Sequence, residues 1–487
     1  MGKVFVTAHS FFMNSTKIVC TLGPSSGEKQ VLKKLMAAGM NVARLNFSHG
    51  TYQSHRELIS HVHAAAKEKK LPVALMQDLQ GPRIRVGSLP HEGVKINKNE
   101  KVLLVSESYY KKNSLTSQIK LIPIQFPKLH ENVKKGNRIL IADGVIELVV
   151  REIRAKNILC VVQAPGVVLN QKGINVPKVF IRGSVLTQKD RKDIAFGVQN
   201  NVDYVAVSFV KNADDILEVR KILARLERRK IPKTKIIAKI ERQEAIDHFD
   251  EILAASDAIM IARGDLGVEL PPEEVPVLQK KLIVHCLASS KPVIVATQML
   301  ESMTNSARPT RAEVSDVANA VIDHTDATML SGETASGLFP VKAVEIMART
   351  IAHTEESAFD DFDYREFCYA PDIQQGMNIF FCSLEKALAQ YDVRTIVAHV
   401  TDLTIARLLS SLRLMKKNLV VTSDPMIYRQ LSLFWGIQAV FLTRKNLQPK
   451  NILTQLKESR LIGKNEQVLF FHEQGIEKKE QEFFTVM

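Results

Sequence analysis

Aromatic residues make up only 6% of the 487 residues, with a single tryptophan, and there are five cysteines. Cys20, Cys160, Cys286, Cys368 and Cys382 are odd in number, scattered, and form no Cys-x-x-Cys. That spacing argues against a disulfide framework or a thiolate zinc site and predicts reduced thiols in a cytoplasmic protein. No run of 18 consecutive apolar residues occurs, so no spanning helix is expected. The opening MGKVFVTAHSFFMNSTK lacks a continuous apolar core of signal-peptide length, and Val6 stands where a Met-Gly myristoylation motif wants Ser or Thr. There is no G-x-x-x-x-G-K-[ST], so any nucleotide must bind without a P-loop. Acidic residues fall short of basic ones, 52 against 66, for a net charge of +14. With no RNP-like aromatic motif, zinc-finger spacing or polybasic tail, that excess suits phosphate and carboxylate substrates better than nucleic acid or a membrane surface.

What is present is an ordinary globular balance, 45% hydrophobic and 24% charged, over a length that implies about three domains. From Thr16 short apolar runs alternate with helix-period segments. TKIVCTLG, NVARLNFSHG and PVALMQDLQGP read as strands, with helices over Glu28–Ala38 and on to Lys70 between them. Residues from about Arg83 to Asn175 then carry period-two alternation and turn residues with little helical period, as in EKVLLVSES and NRILIADGVIELVV. After Thr187 the alternation of strand and helix resumes through YVAVSFV, KIIAKIE, AIMIARGD, PVIVATQM and ATMLSGET. Three strands before the insertion and five after it predict an α/β fold, a (β/α)8 TIM barrel with an inserted small β-barrel lid. From roughly Ile351 a C-terminal α/β domain follows, with TIVAHV, NLVVTS, AVFL and EQVLFFHE as its strands. The expected boundaries are an extension at 1–13, the barrel at 14–82 and 175–350, the lid at 83–174, and the C-terminal domain at 351–487.

Barrel sites lie where the strands end, and here each strand turns polar at its last residues. The ends give Thr21; Arg44, Asn46 and Ser48; Asp78; Ser208; Lys239 and Glu241; Asp265; Thr297; Ser331 and Glu333. Any one such end could be a solvated terminus or a plain salt bridge, whereas eight in succession define a polar ring around one mouth. Glu241 and Asp265 are hard oxygen donors on neighbouring strands and could share one Mg2+. Lys239 and Arg44 supply positive charge for a phosphoryl group or an enolate oxygen. His55, His61 and His63 read as helix-surface histidines, Phe434 and Trp435 as C-terminal core, and Arg225–Lys230 as a solvated helix end.

NVARLNFSHG, DLQGPRIR, KGINVP, IIAKIE, IMIARGDLG, ATQMLESM, RPTRAEVSDVANAV and MLSGETA together resemble the pyruvate kinase family, over about Thr16 to Ala335. The resemblance implies Mg2+-dependent (or Mn2+-dependent) transfer of the phosphoryl group of phosphoenolpyruvate to ADP, giving pyruvate and ATP, in a cytoplasmic homotetramer with no nucleic-acid or membrane partner. It implies Arg44, Lys239 and Thr297 as catalytic residues, and Arg44, Ser208, Lys239, Gly264, Asp265 and Thr297 around phosphoenolpyruvate. It implies Asn46, Phe47, Ser48, His49, Arg85 and Lys172 facing the nucleotide, and Glu241 with Asp265 on the divalent ion. A K+ site would use Asn46, Ser48, Asp78 and the carbonyl of Leu79.

Two departures from the family pattern carry expectations. Arg83 stands where K+-dependent members carry Glu, so a fixed guanidinium could replace the potassium charge and K+ dependence should be weak or absent. Thr401-Asp402-Leu403-Thr404 holds an acid and no glycine where a sugar bisphosphate loop would lie, and HEQGIEKKEQEFFTVM lacks a glycine-rich finish. No response to fructose 1,6-bisphosphate is expected. Two other readings remain: a lyase or aldolase barrel, which shares the metal carboxylates but needs neither lid nor Lys172, and a catalytically inactive binding protein.

Overall fold

The structure is a computed structural model. It describes residues 14–359, 390–443 and 448–471 except 115, 116, 127, 178 and 180–183, together with residues 384, 387 and 388 and the short strands Val4–Phe5 and Phe484–Val486. The expectations placed on Cys368, Cys382, Val6 and most of the chain end lie outside the described residues.

Eight parallel strands close into a barrel. In chain order they are Lys17–Leu22, Met40–Asn46, Ala74–Asp78, Tyr204–Val207, Lys235–Ile240, Ala258–Ala262, Val293–Ala296 and Ala327–Leu330. The eighth returns to the first with Ala327 opposite Lys17. These strands read as nearly unbroken apolar runs because both of their faces are covered. Val19, Val42, Met76, Ile237, Met260 and Ile294 fill the inside, and their neighbours pack outward on the helices. Helix ends coincide with the cap residues in the sequence: Thr51, Thr187 and Thr310 each form a capping box with the residue three positions on. The single helix expected between the fifth and sixth strands is two, Gln243–Asp247 and Phe249–Ala255, divided at His248.

The inserted domain leaves the barrel at Gly81, whose φ of +65° and whose missing Cβ, which would lie 2.8 Å from Phe209, both demand glycine. Its seven-stranded sheet curls until the edges meet: Val86 bridges Ile124, and Gln125 N donates to Arg85 O over 2.9 Å. The domain is not purely β. Helix Glu107–Asn113, capped by Ser106, joins strands Lys101–Ser106 and Lys120–Ile124, which pair in parallel and therefore need a crossover.

The C-terminal domain is a six-stranded sheet covered by helices. Its four central strands are Ile437–Leu442, Lys417–Thr422, Thr395–His399 and Val468–Phe471, in that spatial order. Val4–Phe5 pairs with the first of these and Phe484–Val486 with the last. The segment expected to be a plain N-terminal extension thus supplies an edge strand to the C-terminal sheet. This domain also closes the floor of the barrel. Leu433 is fully buried among the inward side chains of the barrel strands, Tyr204 Oη donates to Gln430 O over 2.7 Å, and Arg429 pairs with Asp203 at 2.9 Å.

Candidate active site

Parallel register decides which polar ends meet. Asn46 lies opposite Asp78, Asp78 opposite Ala206, and Val207 opposite Ala238, so the second to fifth strands reach the mouth at one level. From there the side chains form a file of alternating charge. Arg44 Nη1 donates to Thr21 Oγ1 at 2.8 Å and its Nε to Asp78 Oδ2 at 2.7 Å. Lys239 Nζ lies 3.2 Å from Asp78 Oδ1, 2.8 Å from Ser208 Oγ and 2.8 Å from Glu241 Oε1. Glu241 Oε2 accepts the Phe209 amide over 2.7 Å, and Ser208 Oγ donates to Leu79 O over 2.7 Å. Arg44, Asp78, Lys239 and Glu241 are all buried, none more than 9% exposed, which strengthens their mutual fields.

The titrations follow from that burial. For Asp78, burial favours the neutral form, but Lys239 and Arg44 outweigh it and hold the carboxyl below its usual range. For Lys239, burial opposes the charge, and Asp78 with Glu241 overcomes it and pushes the ammonium well up. Burial raises Glu241, Lys239 opposes the rise and nearby Asp265 adds to it. Glu241, held by the Phe209 amide and raised in part by nearby Asp265, forms with that carboxylate a donor set that a hard divalent cation would satisfy. Glu241 and Asp265 fit that role.

The fifth strand ends at Ile240 and the sixth at Ala262, so Glu241 and Asp265 stand just beyond strands, and Asp265 lies in the first turn of helix Arg263–Glu269. Gly264 N donates to Thr297 Oγ1 over 2.7 Å, while Thr297 Oγ1 donates to Ala296 O over 2.5 Å. Thr297 has φ +71° and Gln298 φ +55°, conformations that a β-branched residue adopts only under constraint. The constraint is Arg263. Its guanidinium pairs through both nitrogens with Asp316, at 2.7 and 2.6 Å, and its Nη2 donates to Thr297 O over 2.8 Å. Arg263 is given no role by the sequence pattern. Its positioning task depends on Asp316, in helix Arg311–Ile322 after the seventh strand, which no local pattern reveals. Glu333, also on the ring, turns inward and accepts the amides of Leu300 and Ser331 at 3.1 and 2.7 Å.

The Phe47 ring is buried and stacked on His55 at 4.1 Å between centroids, so Phe47 presents no ring to a ligand. His55 itself is buried, its Nε2 2.9 Å from His49 O, which corrects the expectation of a surface histidine. Asn46 Oδ1 accepts the Ser48 amide at 3.1 Å. On the lid, Arg85 Nη1 donates to Gln171 O over 3.0 Å and Lys172 is exposed. Arg83 pairs with Asp143 of the lid at 2.8 Å, and none of its hydrogen bonds reaches Asn46, Ser48 or Asp78. Instead it lines, with Asn175, Phe209, Lys211 and Arg242, a basic cavity of about 200 Å3 between lid and barrel. Phe434 and Trp435 are core residues, and Arg225 to Lys230 a solvated helix end, as read from sequence.

Residues 13–344 match the family model described as pyruvate kinase, barrel domain. The chain belongs to the pyruvate kinase family. A pyruvate kinase of Sporosarcina psychrophila is 41% identical over 433 residues, covering 88% of this chain and 72% of that protein. One from Geobacillus stearothermophilus is 41% identical over 427 residues, 87% of this chain and 70% of that one. The crystal structure of a pyruvate kinase from Cryptosporidium parvum superposes with a TM-score of 0.86 at 33% identity, covering 97% of this chain and 96% of that one. The pyruvate kinase assignment makes the chain a phosphotransferase acting between phosphoenolpyruvate and ADP. No helix among the described residues is long and apolar enough to cross a membrane.

Proposed function

We propose that the file Arg44–Asp78–Lys239–Glu241 is the phosphoryl-transfer centre of this pyruvate kinase. The alternation of buried charge is the observation that carries the reading. Arg44 and Lys239 would receive the phosphoryl group of phosphoenolpyruvate, with Asp78 holding both cations in place and Ser208 fixing Lys239 from the side. Glu241 and Asp265 would hold one Mg2+ or Mn2+, which when bound supplies positive charge to phosphoryl oxygens. The substrate carboxylate would lie by Gly264 and Asp265, and Thr297 on the face where C3 is protonated.

The bond between the phosphorus and the enol oxygen breaks as one forms to a terminal oxygen of ADP, and the enolate left behind takes a proton at C3. Lys239 serves both halves: its charge meets the transferring group, then the enolate oxygen. Position and a dry mouth supply the rest. The nucleotide would lie under the lid against Ser48, His49, Arg85 and Lys172, with the segment from Asn46 contributing backbone where Phe47 turns inward. Asn46, Ser48, Asp78 and Leu79 O would form a monovalent-cation site of low importance, since Asp78 already carries two cations. A cytoplasmic homotetramer fits this reading.

A coupled assay of pyruvate formed from phosphoenolpyruvate, ADP and Mg2+ tests it directly. Lys239→Met should lower turnover by at least ~10³-fold with an unchanged far-ultraviolet spectrum. Turnover within a few-fold of the native enzyme would sink the assignment, and no turnover by the native chain would favour an inactive binding protein.

A further inference from the structure

Helix Gln188–Gln199 begins where the chain has returned from the lid, and its first turn makes ties that neither the helix nor the phosphoryl-transfer file requires. Asp190, fully buried, takes both ends of the lid connection. Its Oδ1 accepts the Gly81 amide at 3.2 Å, where the chain leaves the barrel. Its Oδ2 accepts the amide and hydroxyl of Thr187 at 2.8 and 2.6 Å, where the chain has come back. One residue earlier, Lys189 Nζ donates to Phe47 O over 2.7 Å and to Asp193 Oδ2 over 2.6 Å. The other oxygen of Asp193, itself fully buried, accepts from Tyr52 Oη over 2.7 Å.

Half of the Lys189 side chain is exposed, and an ion pair four residues apart on such a helix face adds little to stability. The bond to Phe47 O is of another kind, because it crosses to a different segment. Phe47 is thereby fixed at three points: its amide on Asp78 O over 2.9 Å, its ring on His55, and its carbonyl on Lys189. A trans peptide points its carbonyl and the next N–H in opposite directions. Holding Phe47 O toward the helix therefore turns the Ser48 N–H away from it, toward Asn46 Oδ1 at 3.1 Å. The face that Asn46, Ser48 and His49 present is set by a lysine that lies outside their segment.

We propose that Lys189 is a positioning residue for ADP, holding the Asn46–His49 segment in its binding conformation through Phe47 O. This rests on the reading of that segment as the nucleotide-facing one. Asp190 fastens both lid connections to the same helical turn, so the lid residues Arg85 and Lys172 and the loop residues Ser48 and His49 approach the nucleotide from a common base. The phosphoenolpyruvate side does not depend on Lys189, since Arg44 and Lys239 are held by Thr21, Asp78, Ser208 and Glu241.

Steady-state kinetics with each substrate varied in turn tests the assignment. Lys189→Met removes one charge-assisted hydrogen bond and should raise the KM for ADP about tenfold, with kcat and the KM for phosphoenolpyruvate changed by no more than about twofold. Equilibrium dialysis of ADP with Mg2+, without phosphoenolpyruvate, should show the same loss. Lys189→Arg keeps a cation on Phe47 O and should restore most of the affinity. His49→Ala, within the loop, should weaken ADP as well. Unchanged ADP affinity in Lys189→Met beside a loss in His49→Ala overturns the proposal and leaves the nucleotide reading standing; unchanged affinity in both overturns both. Equal losses for ADP and phosphoenolpyruvate in Lys189→Met, the mark of a merely structural residue, also overturn it.

Discussion

Arg263 donates to the carbonyl of Thr297 over 2.8 Å, and the next residue, Gly264, donates to the Thr297 hydroxyl over 2.7 Å. Two consecutive residues thus grip both ends of one left-handed threonine. Thr297→Ser keeps the hydroxyl and sheds the β-branch, so turnover should stay within a few-fold and stability should rise by up to about 1 kcal/mol. Thr297→Val keeps the branch and removes the hydroxyl, and kcat should fall by ~10²-fold or more. Steady-state kinetics with a thermal melt separates the two, and a Val variant as active as Ser would refute a role for the hydroxyl.

Glu241→Gln should weaken divalent binding at least ~10-fold. Titration of Mn2+ followed by its electron spin resonance reads this without turnover. Unchanged Mn2+ affinity would remove Glu241 from the ion.

Leu433→Ala opens a hole in the barrel floor, since the leucine is fully buried among the strand interiors. The expected loss is about 3 kcal/mol, read as a lower urea midpoint, with kcat/KM little changed at low temperature. A midpoint equal to that of the native protein would mean that the floor does not depend on this side chain.

Burial raises Asp203 to about 6, against the pull of Arg429 and the Leu75 amide. The folded state therefore holds this proton more tightly than the unfolded chain. Its contribution to stability is complete below about pH 4 and is lost as pH rises through about 6, a swing of about 3 kcal/mol. In Asp203→Asn that falling limb should vanish from a plot of unfolding free energy against pH. An unaltered slope between these pH values would disprove the assignment.

Activity with tetramethylammonium in place of K+ at matched ionic strength should stay within several-fold of activity in KCl. Negligible turnover until K+ is added would refute the expectation drawn from Arg83. In the structure that residue rests on Asp143, so Asp143→Ala separates a guanidinium tied to the lid from one free to approach the mouth.

The barrel was legible in the sequence because each strand is apolar on both faces and polar only at its end, a pattern that survives without knowledge of any partner. Lys239, Glu241 and Asp265 could be picked out for the same reason. The inward turn of Phe47 could not, because a ring inside a polar motif looks like a ligand contact until its stacking partner His55 is placed. Arg263 escaped assignment because its meaning lies in Asp316, and Leu433 because nothing local marks a leucine that plugs another domain. Helix Glu107–Asn113 is short and polar, with no buried residue, so it leaves no apolar stripe to detect.

Val4–Phe5 and Phe484–Val486 occupy the two outer edges of one sheet. On a ribosome, the first of these strands must wait through synthesis of nearly the whole chain before its partner Phe441–Leu442 exists. The barrel strands pair mostly with close neighbours in sequence and are free to assemble earlier. A fragment starting at the C-terminal domain would present strand Ile437–Leu442 as a bare edge, open to a copy of itself. The domain cannot be cut from the chain without uncovering that strand.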